Sequence, residues 1–130
     1  MASVRLAVNG TLMRGLELNQ HMIDAGATFV REATTEPCYR LWSIRDIHPA
    51  MQKTNSGGSA IDLEVWNVPR DGIISLVQKE PQGLCIGRVA LSDGEEVLGV
   101  LGEHFLCQDQ LEITEYCGWR RYVAAMRCSQ

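Results

Sequence analysis

The sequence predicts an α+β domain, a small mixed or antiparallel β-barrel with short helices packed on its outside. Three observations carry that expectation. Apolar residues alternate with polar ones at Val4, Leu6 and Val8, and again at Ile61, Leu63 and Val65, the period of a half-buried strand. Asp93-Gly94 stands between two apolar runs, a strong short-range hairpin signal. Segments with helical spacing are short and interleaved with the strands.

Taken in order, the first strand ends at Asn9-Gly10, a turn signal. Asn19 to Gly26 reads as a short helix with Asn19 as N-cap, Met22, Ile23 and Ala25 as its apolar face, and Gly26 closing its C-terminus. Ala27 to Glu32 and Tyr39 to Ile44, separated by Thr34-Thr35-Glu36-Pro37, read as a hairpin. Arg45 to Ser59 is irregular in composition and reads as a mobile surface loop. The strand through Ile61, Leu63 and Val65 ends at Pro69. Arg70 to Lys79 then forms a helix with Ile73, Ile74, Leu76 and Val77 on one side, stopped by Pro81 and Gly83 and weakened by Gly72. Leu84 to Leu91 and Val97 to Leu101 flank the Asp93-Gly94 turn, and Gly118 to Met126 closes the domain as a helix carrying Trp119, Val123 and Met126 at helical spacing. The total is about six or seven strands, mostly joined by hairpins, with two or three short helices, in one domain over residues 1–130.

Composition narrows the function classes. With 12 Lys and Arg against 16 Asp and Glu, the net charge of −4 offers no basic stripe for phosphates, and no apolar run reaches the ~20 residues of a membrane span. Nucleic acid and membrane are therefore excluded as expected partners. A chain of 130 residues, 45% hydrophobic, hides roughly two-thirds of its unfolded surface and needs no staples. The five cysteines are odd in number, lack CxxC spacing and follow no signal-peptide pattern, which points to the reducing cytoplasm. Cys85 and Cys117 sit among apolar residues, where a thiol acts as a small hydrophobe.

Val8-Asn9-Gly10-Thr11-Leu12-Met13-Arg14-Gly15, followed by Leu16-Glu17-Leu18-Asn19, resembles the C-terminal domain of allophanate hydrolases and, more distantly, the gamma-glutamyl cyclotransferase superfamily, whose first loop reads roughly Tyr-Gly-Ser-Leu. The likeness continues through Ala25-Gly26-Ala27, Tyr39-Arg40-Leu41, Gly57-Gly58, Ile61 to Trp66, Gly83 to Gly87, Asp93-Gly94, Ile113-Thr114 and Gly118-Trp119-Arg120, covering essentially the whole chain. It implies the superfamily's barrel, a pocket beside the first loop, urea or amide nitrogen metabolism, and neither metal nor organic cofactor. It also implies a small carboxylated metabolite as ligand, with an amidase or a second copy of the chain as conceivable partners.

The residues suggest matching chemistry. A glycine-centred turn after a strand can leave successive backbone N–H groups pointing outward as an anion site, here over Asn9, Gly10, Thr11, Leu12 and Met13. In the superfamily a glutamate just after a helix is the general acid/base, and Glu80 falls at the corresponding place, although Pro81-Gln82 separates it from Gly83. Such a carboxyl would need desolvation to raise its pKa toward neutrality. Glu64 is the competing carboxylate, on the strand face opposite Ile61, Leu63 and Val65, with Trp66 beside it as an apolar wall.

Where the allophanate-type loop carries a histidine, this chain has Leu12, which exchanges no proton. His21, His48 and His104 are the candidates to replace it, and His48, in the irregular segment, could swing over the pocket. Asn55 to Ala60 echoes amidase-signature enzymes but reads as a loop. The expected function is a cofactor-free enzyme acting on a small carboxylated amine or amide. The alternative is a non-catalytic acid-binding or accessory module that docks on an amidase.

Overall fold

A computed structural model describes residues 2–128. Among the described residues, eight strands form two sheets rather than a closed barrel. The larger sheet has the order β2-β5-β1-β7-β6, built from β1 (Ser3–Val8), β2 (Thr28–Thr34), β5 (Asp62–Pro69), β6 (Leu84–Ala90) and β7 (Glu96–Gly102). The smaller has the order β4-β3-β8, from β3 (Tyr39–Ile44), β4 (His48–Lys53) and the two-residue β8 (Leu111–Glu112). The class is α+β and mixed, since β1 pairs antiparallel with β5 but parallel with β7. Helices α1 (Asn19–Asp24), α2 (Arg70–Lys79), α3 (His104–Cys107) and α4 (Trp119–Cys128) lie between or after the strands.

The strand at the centre is the one with the clearest apolar end. Leu6, Ala7 and Val8 are all essentially inaccessible, because β1 is paired on both edges and covered on both faces. β5 likewise buries both faces, Leu63 and Val65 on one and Glu64, Trp66 and Val68 on the other. Tyr39, Leu41, Met51, Leu76, Ile113 and Trp119 join the same core from the second sheet and the helices. At the sheet junction, a Cβ on Gly102 would stand 2.6 Å from the Ala50 Cβ, so β7 approaches β4 only because residue 102 has no side chain.

Several expectations are corrected. The segments proposed as one hairpin are both strands, but β2 pairs with β5 and β3 pairs with β4 and β8. The irregular loop is in large part β4, a strand whose first four residues, His48, Pro49, Ala50 and Met51, are buried. Its proline hides the usual strand pattern. Asn19 is not a cap; it is the first residue of α1, and its amide donates to the Leu12 carbonyl at 2.8 Å. On α1 only Met22 is buried while Ile23 is 51% exposed, and on α2 Leu76 is buried while Ile74 and Val77 are exposed. The Asp93-Gly94 hairpin, the strand ending at Pro69 and both longer helices lie where the residues indicate. Gly94 adopts a positive φ of 91° in that turn.

Candidate active site

Strand β1 delivers Asn9 to a loop whose backbone is held from inside. The buried Asn9 amide donates to the Val100 carbonyl at 3.0 Å and contacts the Met51 sulfur at 3.9 Å. The Met13 N–H donates to the Gly10 carbonyl at 3.0 Å, closing a β-turn, and the Leu18 N–H donates to the Thr11 carbonyl at 2.9 Å. The N–H groups of Gly10, Thr11 and Leu12 donate to none of the described residues. Gly10 is needed for a reason other than turn geometry: its φ is ordinary, but a Cβ there would lie 2.5 Å from Pro49 Cδ. The absent side chain lets β4 press His48 and Pro49 against the loop.

Glu80 approaches the same place from the other side. It caps the C-terminus of α2 with extended backbone, its N–H still donating to the Leu76 carbonyl at 3.0 Å. Its Oε1 is buried without a hydrogen-bond partner, and burial pushes its carboxyl up to about 7. Glu80 shares with Asn9, Gly10, Thr11, Leu12 and His48 a cavity of about 20 Å³, with Val8, Pro49, Leu84 and Val100 as its apolar wall. That is room for one water-sized group. His48 is buried, and its Nδ1 lies 2.9 Å from the Pro49 carbonyl.

Glu64 serves a different locality. It is 2% exposed, and its Oε1 accepts from the Arg14 N–H at 3.0 Å and from Trp66 Nε1 at 3.2 Å. Its Oε2 accepts from Arg14 Nε at 3.1 Å and from an Arg120 guanidinium nitrogen at 3.3 Å. Burial alone would raise its pKa, but the Arg14 backbone and guanidinium and the Trp66 indole hold it below the usual carboxylate range. Arg120 also donates to the Arg14 carbonyl at 2.6 Å, so the cluster fixes the outgoing end of the loop. Beside it lies a cleft of about 460 Å³ lined in part by Met13, Glu64, Trp119 and Arg120.

The structure thus brings Glu80 together with Asn9, Gly10, Thr11 and Leu12. Met13, Glu64 and Trp66 stand outside that cavity: Met13 faces the large cleft, Glu64 is ion-paired, and Trp66 packs edge-on against Phe29 with ring centres 5.6 Å apart. His48 is the residue whose place the sequence reading mistook, since it stands in a buried strand rather than an exposed loop. The available signal was Gly10, whose missing side chain marks a close approach, but nothing local said by which segment. Among the described residues, no three of His, Cys, Asp and Glu stand together as a metal site, and all five cysteines are free thiols. No helix among the described residues is long and apolar enough to cross a membrane.

Comparison with known proteins identifies the fold and the family. A uropathogenic E. coli-specific protein of known crystal structure is 53% identical, with a TM-score of 0.94 over 95% of this chain and 98% of that one. An AIG2-like protein from Mus musculus, 18% identical with a TM-score of 0.61 over 79% of this chain and 78% of that one, shares the fold. The urea amidolyase of Saccharomyces cerevisiae is 29% identical over 96% of this chain, which spans only 7% of that protein's length. The profile of the allophanate hydrolase C-terminal domain matches residues 4–124, and the chain belongs to that family.

Proposed function

We propose that the domain is a cofactor-free enzyme acting on a small carboxylated amine or amide, with Glu80 as its general acid/base and the Gly10, Thr11 and Leu12 N–H groups as its anion site. One observation carries this reading: Glu80, with one buried, unpartnered carboxyl oxygen and a pKa pushed up to about 7, lines the same cavity as three consecutive residues whose backbone N–H groups are uncommitted. A group poised near neutrality can both take and return a proton at working pH.

The step this supports is acyl transfer. As a substrate nitrogen attacks a carbonyl carbon, the Glu80 carboxylate takes its proton. The carbonyl π pair moves onto oxygen, where the loop N–H groups stabilise the charge. Collapse re-forms the carbonyl and breaks the bond to the leaving nitrogen, which receives the proton from Glu80. A cavity of about 20 Å³ admits only the oxygen-bearing end of the substrate and leaves the rest at its mouth. Leu12 contributes its backbone and an apolar wall; Asn9 acts through its side chain, tying the loop to β7. Glu64 holds the loop and takes no part in proton transfer.

The test is a thermal-shift and calorimetric screen with gamma-glutamyl dipeptides, allophanate, malonate and related diacids, repeated with Glu80→Gln and followed by turnover assays. Turnover lost in Glu80→Gln with binding retained is the expected result. Binding without turnover, unaffected by that substitution, would replace the enzyme with an acid-binding or accessory module.

A further inference from the structure

We infer that His48 is the proton partner of Glu80, its Nε2 and the carboxyl being joined through one water molecule in the cavity they share. The inference deepens the acyl-transfer reading and rests on it for its functional meaning, but its evidence is geometric. His48 and Glu80 belong to elements far apart in sequence, the start of β4 and the end of α2, yet line the same cavity of about 20 Å³.

The ring's protonation pattern follows from its one bond. The group 2.9 Å from Nδ1 is the Pro49 carbonyl, which can only accept, so Nδ1 carries the hydrogen. In the neutral imidazole Nε2 is then a bare acceptor, and no described residue donates to it. Across the cavity Glu80 Oε1 also lacks a partner. A protonated carboxyl offers one O–H, and a buried donor left unbonded is costly. The two open valences are complementary, and a cavity with room for one water can bridge them.

No competing titratable group faces them. The wall is contributed by β1, the loop after it, β4, α2, β6 and β7, and the remaining lining residues, Val8, Asn9, Gly10, Thr11, Leu12, Pro49, Leu84 and Val100, carry no ionisable side chain. The nearest acid on the β3–β4 connection, Asp46, accepts from Ser43 Oγ and Tyr122 OH, both at 2.6 Å. As a positioning residue His48 would fix which carboxyl oxygen holds the proton and where that proton points.

The test needs no substrate. Nitrogen shifts of the histidine rings and carbon shifts of the glutamate carboxyls are followed against pH by NMR in the full chain, in Glu80→Gln and in His48→Gln. The expected result is a His48 ring protonated at Nδ1, with a Glu80 midpoint that moves away from about 7 in His48→Gln. If His48→Gln does not fold, an Nε2 nitrogen shift that differs between the natural protein and Glu80→Gln decides. A ring protonated at Nε2, or an Nε2 shift and a Glu80 midpoint that ignore the partner's substitution, overturns the inference. Independent signals with Glu80-dependent turnover would strike only at His48; linked signals with no turnover would strike only at the enzyme reading.

Discussion

Replacing Glu80 with Gln should stabilise the folded protein, and only at the alkaline end of its range. The carboxyl ionises near 4.5 in the unfolded chain and near 7 in its cavity. Below the lower value both states are neutral and the site costs nothing extra. As pH rises between the two, the unfolded chain gives up its proton first, so stability falls; above about 7 the folded protein carries a buried charge. At 1.36 kcal/mol per pH unit, the interval corresponds to about 3 kcal/mol. Glu80→Gln has no such titration. In urea unfolding followed by tryptophan fluorescence at pH 4 and pH 8, the variant's advantage over the natural protein should widen by about that amount, on the order of 10 °C in melting temperature. Two stability curves that run parallel from pH 4 to pH 8 would refute the argument, since they would mean that the carboxylate is solvated or ion-paired in the folded state. That result would also remove the physical basis for Glu80 as acid/base.

Three further outcomes test other parts of the structure. Glu64→Gln should lower stability by about 2 kcal/mol at pH 7, a charge-assisted network lost but its arginines half exposed. Because the folded pKa of Glu64 is depressed, that loss should be complete above 4.5 and fade as pH falls through the folded value, which urea titrations at pH 7 and pH 3 would resolve. Gly72→Ala should destabilise despite the better helix former, because its Cβ would stand 2.4 Å from the Ala25 carbonyl oxygen and 3.1 Å from Val68 Cγ1; a net loss of about 1–3 kcal/mol in urea is expected. Gly94→Ala meets open space but must hold φ near +91°, and should cost about 1 kcal/mol while leaving ligand binding unchanged.

What the chain reveals before folding depends on how local the cause is. The alternation along β1 and β5 and the Asp93-Gly94 turn are local, and each element lies where its residues place it. Strand pairing is not local. Phe29 and Val30 belong to a strand as their chemistry suggests, but their partner is β5, more than thirty positions onward and invisible in composition. Nor could β4 be read: His48-Pro49 looks like loop, and the strand exists because β3 pairs along its whole length and β7 packs against Ala50 through the bare backbone of Gly102. The site was half legible for the same reason. The Asn9-Gly10 turn advertises itself, and Glu80 followed from the family likeness, whereas the entry of His48 depends on tertiary approach to Gly10.

The two carboxylates that composition could not separate are separated by the fold. Both are largely withdrawn from water, a situation that by itself favours the neutral acid. Glu64 is met by two guanidinium groups, an indole and a backbone N–H, which together keep it charged and make it a fixed anchor for Arg14. Glu80 stands in a cavity lined by no Lys or Arg to pair with it, and burial pushes its carboxyl up to about 7. A group that never changes charge can hold a loop but cannot transfer a proton, while one balanced near neutrality does the reverse. The loop from Asn9 to Arg14 is clamped at its outgoing end by the permanent charge, and its Asn9 to Leu12 stretch lines the cavity that holds the titratable one. In the acid/base role proposed for Glu80, its chemistry depends on Glu64 only through the loop. Glu64→Gln should weaken turnover by misplacing the N–H groups while leaving the Glu80 titration near 7, and a Glu80 midpoint that moved with Glu64→Gln would show the two sites to be electrostatically joined.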